Sequence, residues 1–453
     1  MTDFDVLVIG GGTGNNVAAA AADAGLETAL VEPGPLGGTC LNRGCNPTKM
    51  LIQAANAAND VREAGTFHVD ATLEGVDHAT VVDEMDDLLG GLAEGMEAGY
   101  LEKESLTMFN ERTRFLDDRT VELDGEAVTA EKVVVAAGSR PIVPPIDGLD
   151  EIDYLTSQDA IYRREVPDSL LIMGGGYIAV ELGYYFESMG SDVTIVEMMD
   201  ALVPREDTDV AAEFTDIASD RHDVYTGHRV TSVEEASGRK AVHAESEAGD
   251  DLTVEGEEVL VALGRRPNTD TLNLDATAIE TDDQGFIETN EYLETTAENV
   301  WAQGDIAGNA MFKHSGDYET DHTVANVVHG ERRAVDLSAM PHAIFTEPQI
   351  AGVGRTEEEL REEGVEYVVG RADYPDSSMG RAKKLDHGFL KVLAAPDGEI
   401  LGVHAIGYEA SVLIHEAVLA MRAGLSVETV ADTIHVHPTL SKVVESAFGD
   451  AVN

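Results

Sequence analysis

The 453-residue chain contains only two cysteines, Cys40 and Cys45, and both lie in the stretch "GGTCLNRGCNPTK". Two neighbouring thiols can bind a metal, cross-link the fold or exchange electrons. A zinc site needs four ligands, and neither a second cysteine pair nor a suitably spaced histidine accompanies these two. A structural disulfide that closes so small a loop would constrain little of the unfolded chain. We therefore expect no metal site and favour a redox pair.

The spacing of the two cysteines also makes a geometric demand. In a regular helix, residues five positions apart are displaced by about 7.5 Å along the axis and face different sides. A disulfide needs Cα atoms about 4.4 to 6.8 Å apart, so a bonded pair requires a distorted turn. Gly37, Gly38 and Gly44 permit such a turn. A strained disulfide is readily reduced, and beside a flavin it would accept electrons.

A glycine turn with the pattern of a dinucleotide-binding site follows the apolar run "FDVLVIG" near the start of the chain. Gly10 and Gly12 occupy the first two glycine places of the pattern, and Gly14 adds a further small residue. The third glycine place holds Asn15, a departure that we expect to loosen the packing of helix against strand. Glu32 ends the next strand, where a carboxylate can accept hydrogen bonds from ribose hydroxyls.

A second glycine turn follows the strand "SLLIM", with Gly174, Gly176 and then Ala179 in the third place. Glu197 ends the strand after it and is placed like Glu32. Two such turns predict that the chain binds two dinucleotides, which usually means that hydride passes between a nicotinamide and a flavin. The spacing alone does not assign a cofactor to either turn.

Acidic residues dominate the composition, because 86 Asp and Glu stand against 30 Lys and Arg and give a formal net charge of −56. They are spread along the chain rather than gathered in one block that would bind a basic partner. Such a charge destabilises a compact protein in dilute buffer, but at molar salt the Debye length falls to about 3 Å and screens the repulsion. The composition indicates adaptation to a salt-rich cytoplasm, and it argues against nucleic acid and anionic membranes as partners.

The chain shows no targeting or membrane-spanning pattern. No basic-then-apolar leader precedes the first strand, and no apolar run approaches 18 residues. We therefore expect a cytoplasmic protein that does not cross a membrane.

Seven motifs together point to one enzyme family. On "GGTCLNRGCNPTK", "AAGSRP", "GGGYIAVE", "VALGRRPNT", "GDIAG", "FTEPQIAGVG" and "HPTLS", the chain resembles the class I pyridine nucleotide–disulfide oxidoreductases. This is the family of glutathione reductase and dihydrolipoamide dehydrogenase. The resemblance spans nearly the whole chain. It implies a homodimeric FAD enzyme in which the first turn binds FAD and the second binds NADPH or NADH.

The resemblance also implies the roles of the catalytic residues. Cys45 matches the flavin-proximal thiol, and Cys40 matches the interchange thiol that attacks a disulfide substrate. His437 of "HPTLS" matches the general base, which in the family comes from the other subunit of the homodimer, so the active site is shared. His435 is a weaker rival for this role.

Other residues match the family's cofactor site. Lys49 and Glu181 resemble an ion pair beside flavin N5, Tyr177 resembles the lid over the nicotinamide pocket, and Asp305 resembles the carboxylate that holds the ribityl chain. The cofactor-binding residues expected from the turns and the resemblance are Gly10, Gly12, Gly14, Glu32, Gly38, Thr39, Lys49, Gly138, Gly174, Gly176, Tyr177, Ile178, Glu197, Gly264 and Asp305.

The order of strands, helices and turns predicts an α/β fold. We expect two Rossmann-like nucleotide-binding domains and a C-terminal α+β dimerisation domain, in which "HGFLKVLAAPDGEILGVHAIG" has the pattern of a hairpin around "PDG". The expected boundaries are 1–150 and 273–339 for the FAD-binding domain, 151–272 for the NAD(P)-binding domain and 340–453 for the dimerisation domain.

The sequence departs from the family beside its histidine. In glutathione reductase and dihydrolipoamide dehydrogenase, a glutamate five residues after the histidine orients it, whereas this chain has Lys442 there. Glu445, one helical turn later, is an alternative orienting residue. We hypothesise that Lys442 instead binds the substrate, which suits a disulfide that carries several carboxylates.

The substrate expectation combines resemblance with composition. The segment "MFKHSGDYE" after "GDIAG", together with "GGTGNN" and "CLNRGCNPTKM", is nearer to mycothione reductase than to dihydrolipoamide dehydrogenase. Salt-loving archaea use γ-glutamylcysteine, so we expect the small-molecule disulfide bis-γ-glutamylcystine as substrate. The alternatives are a dihydrolipoamide dehydrogenase, a mercuric reductase-like enzyme and a non-catalytic flavoprotein redox sensor. Mercuric reductase is a poorer match because it needs cysteines beyond the two present.

The choice of nicotinamide stays open. Glu197 should accept the 2′-hydroxyl of NADH and repel the phosphate of NADPH, and the first arginine that follows is Arg205. Most reductases of small disulfides nevertheless use NADPH.

Overall fold

The computed structural model of the protein describes residues 3–452. These residues form two compact units. Unit 1 comprises the described residues up to Met50, together with Thr80–Ile142 and Gly264–Leu337. Unit 2 comprises Leu51–Ala79, Val143–Leu263 and the described residues from Ser338 onward.

The strands of the described chain are mostly short and alternate with helices in both nucleotide-binding regions. In chain order they are β1 (Phe4–Ile9), β2 (Thr28–Val31), β3 (Leu106–Phe109), β4 (Arg114–Asp117), β5 (Thr120–Leu123), β6 (Glu126–Val135), β7 (Ser139–Pro141), β8 (Ser169–Met173), β9 (Asp192–Val196), β10 (Asp223–Tyr225), β11 (His228–Ala236), β12 (Arg239–Ser246), β13 (Asp251–Gly256), β14 (Glu258–Val261), β15 (Arg265–Pro267), β16 (Val300–Ala302), β17 (Pro341–Ile344), β18 (Gln349–Gly354), β19 (Val368–Asp373), β20 (Phe389–Ala394) and β21 (Ile400–Gly407).

The α-helices vary from short turns to long amphipathic segments. They are α1 (Gly14–Asp23), α2 (Gly38–Arg43), α3 (Cys45–Glu63), α4 (His78–Leu101), α5 (Ser157–Ile161), α6 (Tyr177–Met189), α7 (Thr208–Ser219), α8 (Lys313–Thr323), α9 (Glu357–Glu363), α10 (Ser378–Lys383), α11 (Ala410–Arg422), α12 (Val427–Ala431) and α13 (Ser441–Val452). None of the helices within residues 3–452 is long and apolar enough to cross a membrane.

Unit 1 is built on a sheet with the strand order β3-β2-β1-β6, extended by β16 and by the antiparallel strands β5 and β4. Strands β1, β2, β3, β6 and β16 pair in parallel. Val6, Leu7, Val8 and Ile9 of β1 are all buried, as expected of a central parallel strand covered on both faces. This is the first Rossmann-like nucleotide-binding fold that the sequence predicts.

Unit 2 contains a second nucleotide-binding fold and the C-terminal α+β fold. The parallel sheet β10-β9-β8-β14 carries the second glycine turn at the end of β8. The C-terminal sheet has the order β17-β18-β21-β20-β19 and is antiparallel throughout. The predicted hairpin is confirmed, since β20 and β21 pair directly and Gly398 of "PDG" turns the chain at φ +91°. The predicted fold class is therefore confirmed.

A buried ionic cluster lies within unit 2. Lys391 of β20 is only 1% exposed, and its Nζ contacts Asp207 Oδ1 at 2.8 Å, Asp209 Oδ2 at 2.7 Å and Glu357 Oε2 at 2.5 Å. Asp207 also accepts the main-chain N–H groups of Asp209 and Glu357. Burial is the largest single influence and by itself would raise the pKa of Asp207, but Lys391, His404 and the Glu357 N–H together outweigh burial, and the pKa is lowered. The cluster ties α7, α9 and β20 together.

We expect Lys391→Met to lower the free energy of unfolding by about 3–5 kcal/mol, because it leaves the buried Asp207 carboxylate without its counter-charge. Urea unfolding at a fixed multimolar salt concentration measures the change. The matched control is Arg112→Met, which removes an exposed cation and should shift the free energy of unfolding by less than about 0.5 kcal/mol. Equal stability of the two variants would contradict the prediction.

Candidate active site

The first glycine turn joins β1 to α1 and is closed by Glu32. Gly10 adopts φ +114°, and a Cβ there would lie 2.1 Å from the Ala136 carbonyl oxygen, so only glycine fits. Glu32 Oε2 accepts the Gly11 N–H at 2.6 Å, and Oε1 accepts the Gly34 N–H at 2.9 Å. The carboxylate thus holds the turn in addition to the ribose-binding role predicted for it.

Asn15 does not loosen the helix, contrary to our expectation. It is buried, and its Nδ2 donates to the Gly11 carbonyl at 3.2 Å and lies 3.1 Å from the Met96 sulfur. The close packing of helix on strand is provided one residue earlier, because a Cβ on Gly14 would meet Ala136 Cβ at 2.8 Å and Val8 Cγ1 at 2.9 Å. The residue that lets α1 pack closely on β1 is therefore Gly14, one position before Asn15, and the packing is not loosened.

The cysteine segment begins against this first turn. The Gly37 N–H donates to the Gly11 carbonyl at 2.8 Å. A Cβ on Gly38 would lie 2.6 Å from Gly12 Cα, and Gly38 has φ +59°. Two glycine backbones are thus in contact, and Thr39 follows in α2. The predicted cofactor residues Gly10, Gly12, Gly14, Glu32, Gly38 and Thr39 lie in this one region of unit 1.

The helix that carries the cysteines is interrupted between them, as their spacing requires. Cys40 lies in α2, and Cys45 is the first residue of α3. Gly44 separates the helices with φ −150° and ψ −111°, and a Cβ there would lie 3.0 Å from the Thr39 carbonyl oxygen. Both cysteines are free thiols, and the Cys40 thiol is hydrogen-bonded to Cys45. The two sulfurs are thus held as a pair.

The electrostatic surroundings of Cys40 include residues that the sequence analysis did not assign. The hydrogen bond with Cys45, followed by burial, raises the pKa of the Cys40 thiol. The positive charge of Lys313 lowers the pKa of the Cys40 thiol, and the negative charge of Asp317 raises it. Lys313 begins α8 and forms an ion pair with Asp317. Both charged residues lie in the segment "MFKHSGDYE", which departs from the family pattern. That departure was the sequence feature that could have pointed to them.

Asp305 lies in a polar network of unit 1 together with the loop of Gly138 and the turn at Gly264. The Ser139 hydroxyl donates to Asp305, and Arg265 Nε donates to the same hydroxyl at 2.8 Å. Gly138 and Gly264 adopt φ +67° and +114°. The network orients the Asp305 carboxylate, the residue predicted to hold the ribityl chain.

A second carboxylate near Asp305 was not predicted. Glu319 of α8 is fully buried, and it accepts the Gly304 N–H at 2.6 Å and Asn309 Nδ2 at 3.1 Å. Burial raises the pKa of Glu319. The side chain holds the loop that presents Asp305. The sequence gives no periodic or motif signal for this contact, because Glu319 comes from the following helix.

The second glycine turn repeats the construction of the first. Gly174 adopts φ +105°, and the Gly175 N–H donates to Glu197 Oε2 at 2.5 Å. Glu197 Oε1 accepts the Met199 N–H at 2.8 Å. A Cβ on Gly176 would meet no atom within 4 Å, so the N-terminus of α6 faces open space. Tyr177 is 39% exposed and Ile178 is half-buried in the first turn of α6.

Lys49 and Glu181 lie in different units, so their predicted ion pair stays a prediction. Lys49 is half-buried in α3 of unit 1. Glu181 is buried in α6 of unit 2, and its Oε1 accepts the Phe345 N–H at 2.9 Å.

The two candidate histidines have different surroundings in unit 2. Within residues 3–452, no hydrogen bond to the exposed His437 ring is found. His435 instead contacts Glu416 and the Thr433 carbonyl. Lys442 lies in the first turn of α13, and its ammonium is paired with Glu445. The rival histidine is thus held by partners, while His437 presents its ring to solvent.

Both glycine turns have features suited to binding the pyrophosphate of a dinucleotide. Each combines backbone N–H groups at a helix N-terminus with glycines that leave no Cβ in the way, which suits a pyrophosphate. Each also ends in a buried carboxylate at the following strand, Glu32 or Glu197. No group of three or more His, Cys, Asp and Glu side chains in the described range could hold a metal ion.

We expect Gly38→Ala to abolish FAD retention, because the added Cβ would meet Gly12 Cα and because φ +59° costs a non-glycine residue about 1–2 kcal/mol. The ratio of absorbance at the flavin band to that of the protein measures retention. Gly90→Ala is the control, since a Cβ on Gly90 in α4 meets no atom within 4 Å. Wild-type flavin content in Gly38→Ala would refute the close approach of the two turns.

The chain is similar to known proteins in both sequence and fold. Residues 4–331 match the family described as pyridine nucleotide-disulphide oxidoreductase, and residues 340–448 match its dimerisation domain. The dihydrolipoyl dehydrogenase of Halobacterium salinarum is 38% identical over 100% of this chain and 98% of its own length. A mercuric reductase of Staphylococcus aureus is 32% identical over 98% of this chain and 82% of its own length.

A solved structure agrees with these matches. The HOCl-induced flavoprotein disulfide reductase RclA from Escherichia coli superposes with a TM-score of 0.87 at 27% identity, covering 98% of this chain and 99% of that chain. The chain therefore belongs to the pyridine nucleotide-disulphide oxidoreductase family, and it is an FAD-dependent disulfide oxidoreductase that uses NAD(P)H.

Proposed function

We propose that this enzyme reduces a low-molecular-weight disulfide that carries carboxylates, with bis-γ-glutamylcystine as the leading substrate. The observation that carries the proposal is the hydrogen-bonded pair of Cys40 and Cys45 beside the first glycine turn. Such a pair can exchange two electrons with a disulfide. The acidic composition and the haloarchaeal relatives support a thiol used in salt-rich cells.

The chemistry of the paired thiols follows from thiol–disulfide exchange. FAD, when bound, supplies the path by which the electron pair of NAD(P)H reaches the Cys40–Cys45 disulfide. The Cys40 thiolate then attacks one sulfur of the substrate, forms a mixed disulfide and releases the first thiol. The Cys45 thiolate attacks Cys40, releases the second thiol and re-forms the Cys40–Cys45 disulfide.

His437 is the proposed proton donor and acceptor in this cycle. Its exposed ring can protonate each leaving thiolate and take a proton from Cys40. We propose a homodimer in which His437 of one protomer serves the cysteine pair of the other. The match of residues 340–448 to a dimerisation domain supports this arrangement. The Lys49–Glu181 pair and the domain boundaries 1–150, 151–272, 273–339 and 340–453 belong to the same proposal, as does a cytoplasmic location.

Lys442 supports the choice of an anionic substrate. It lies five residues after His437, and its side chain is 33% exposed although it is paired with Glu445. An ammonium has three N–H donors, so the ion pair leaves donors for a substrate carboxylate. In a protein with a net charge of −56, a cation at this position lowers the repulsion that an anionic substrate would meet.

Dihydrolipoyl dehydrogenase activity is the second candidate. Four relatives from haloarchaea carry that name, and they match this chain over nearly its whole length at 35–38% identity. The same cysteine chemistry would run in the opposite direction, with dihydrolipoamide as electron donor. A mercuric reductase-like activity or a non-catalytic sensor ranks below both.

We also propose that NADH is preferred over NADPH. Glu197 follows β9, and its two carboxylate oxygens accept the N–H of Gly175 in the glycine turn and the N–H of Met199. These contacts hold the carboxylate at the position proposed to bind the adenosine ribose. A phosphate on the 2′-hydroxyl would be repelled there. The next residues, Met198 and Met199, are exposed and uncharged, and offer no counter-charge.

Turnover in multimolar salt tests the substrate proposal. We expect fast NAD(P)H oxidation with bis-γ-glutamylcystine and slow oxidation with the uncharged disulfide lipoamide. Lys442→Met should raise the KM for bis-γ-glutamylcystine about fivefold to tenfold, because one ionic contact with the substrate is worth roughly 1 kcal/mol at a partly exposed site. Steady-state kinetics of wild type and variant with both disulfides provide the measurement.

Lys442→Arg is the matched control, since it keeps the positive charge and should keep the KM near the wild-type value. The KM for lipoamide should not change in either variant. Fast wild-type turnover with lipoamide alone would rule out the leading substrate and favour the dihydrolipoyl dehydrogenase alternative.

Met198→Arg should increase kcat/KM for NADPH at least about tenfold, because the new guanidinium would pair with the 2′-phosphate. The value for NADH should change little, since Glu197 is retained. Parallel kinetics with the two nucleotides measure the shift, and Met199→Leu serves as an uncharged control next to it. A wild-type enzyme that already favours NADPH would contradict the proposed preference.

A further inference from the structure

The segment that carries His437 links α12 to α13 and is largely exposed. Ile434 is 97% exposed, Val436 is 70% exposed, and His437 is exposed as well. His435 is the exception, because its side chain is only 4% exposed. This ring therefore anchors the segment to the body of unit 2.

Both nitrogens of the His435 ring have hydrogen-bond partners. Nε2 lies 2.6 Å from Glu416 Oε1, and Nδ1 lies 2.8 Å from the Thr433 carbonyl oxygen. A backbone carbonyl only accepts hydrogen bonds, so Nδ1 donates to Thr433, and Nε2 is engaged by the Glu416 carboxyl group. With both nitrogens engaged, His435 is not available as the general base.

Glu416 comes from a rigid element. It lies in α11, whose residues Ala410, Ile414, Ala417 and Ala420 are buried in the core of the C-terminal fold. The carboxylate is thus held on a helix that packs against the antiparallel sheet. The Glu416 contact therefore holds the His435 ring against this helix.

The segment is also tied on the other side of His437. Thr439 Oγ1 donates to the Val436 carbonyl at 2.7 Å. The backbone of His437 therefore lies between the anchored His435 ring and the Thr439 contact. The carboxylate that the family places five residues after the histidine is absent here, and Lys442 at that position is paired with Glu445.

We propose that Glu416 and His435 are positioning residues for His437, so that the acid comes from α11 instead of the start of α13. This inference rests on the proposed role of His437 in proton transfer. The Glu416–His435 contact fixes the backbone from which His437 projects. A general base contributes only when its ring is held within reach of the proton, so loosening the anchor lowers the rate of thiol–disulfide exchange.

Kinetics of the FAD-loaded enzyme test the inference. In Glu416→Gln, we expect kcat with bis-γ-glutamylcystine to fall at least about tenfold, with little change in KM. NADH oxidation with ferricyanide should stay at the wild-type rate, because ferricyanide takes electrons without protonating a thiol. Sedimentation velocity at the same salt concentration shows whether the oligomeric state is retained.

Two further variants complete the design. Glu416→Asp keeps the carboxylate and should recover part of kcat. If Glu416→Gln does not fold, Glu416→Asp replaces it as the test variant. Glu362→Gln removes an exposed glutamate of α9 and should leave both activities unchanged. The pH profile of kcat should change shape in Glu416→Gln and keep the wild-type shape in Glu362→Gln.

A wild-type kcat in Glu416→Gln overturns the inference, as does a parallel loss of disulfide and ferricyanide activity, which would show general damage. A wild-type enzyme that reduces ferricyanide but no disulfide overturns the proposed function, and this inference with it. Loss of disulfide turnover alone, with partial recovery in Glu416→Asp, supports the positioning role.

Discussion

The contact between the Gly10–Gly14 turn and the Gly37–Gly38 turn is the constraint on which the active-site region depends. The two turns meet backbone to backbone, through the Gly37 N–H on the Gly11 carbonyl and the close approach of Gly38 to Gly12. Any Cβ at Gly38 would separate them. The same few residues therefore hold the first glycine turn next to helix α2, which carries Cys40. Electron exchange between a bound flavin and the two thiols requires this proximity.

Electrostatics acts on two scales in this protein. The acidic surface is compatible with a folded state because molar salt screens charges over about 3 Å. Salt screens buried pairs far less, and the structure uses such pairs where geometry matters. Lys391 joins Asp207, Asp209 and Glu357, and His435 with its side chain nearly buried joins Glu416. In each of these contacts at least one partner, Lys391 or His435, is removed from solvent.

Local signals made much of the fold and part of the site predictable. The apolar strand β1, its glycine turn and the "PDG" hairpin are encoded within a few consecutive residues, and so is the helix break at Gly44. Asn15 shows the limit of a motif, because its effect depends on Gly14 and on Met96 far along the chain. Lys313, Glu319 and Glu416 were missed, since the groups on which they act, Cys40, the Gly304 N–H and His435, belong to other elements of the fold.

The sequence by itself indicated the family, predicted two dinucleotide turns and singled out Cys40 and Cys45 as the candidate redox pair, because each of these depends on residue types at short, fixed spacings. Only the tertiary structure decided which charges surround those residues. Lys442 replaces an expected acid in the sequence, but the fold pairs it with Glu445 and supplies Glu416 from another helix to anchor His435. Hydrogen bonds between distant segments follow from packing, which no local pattern specifies.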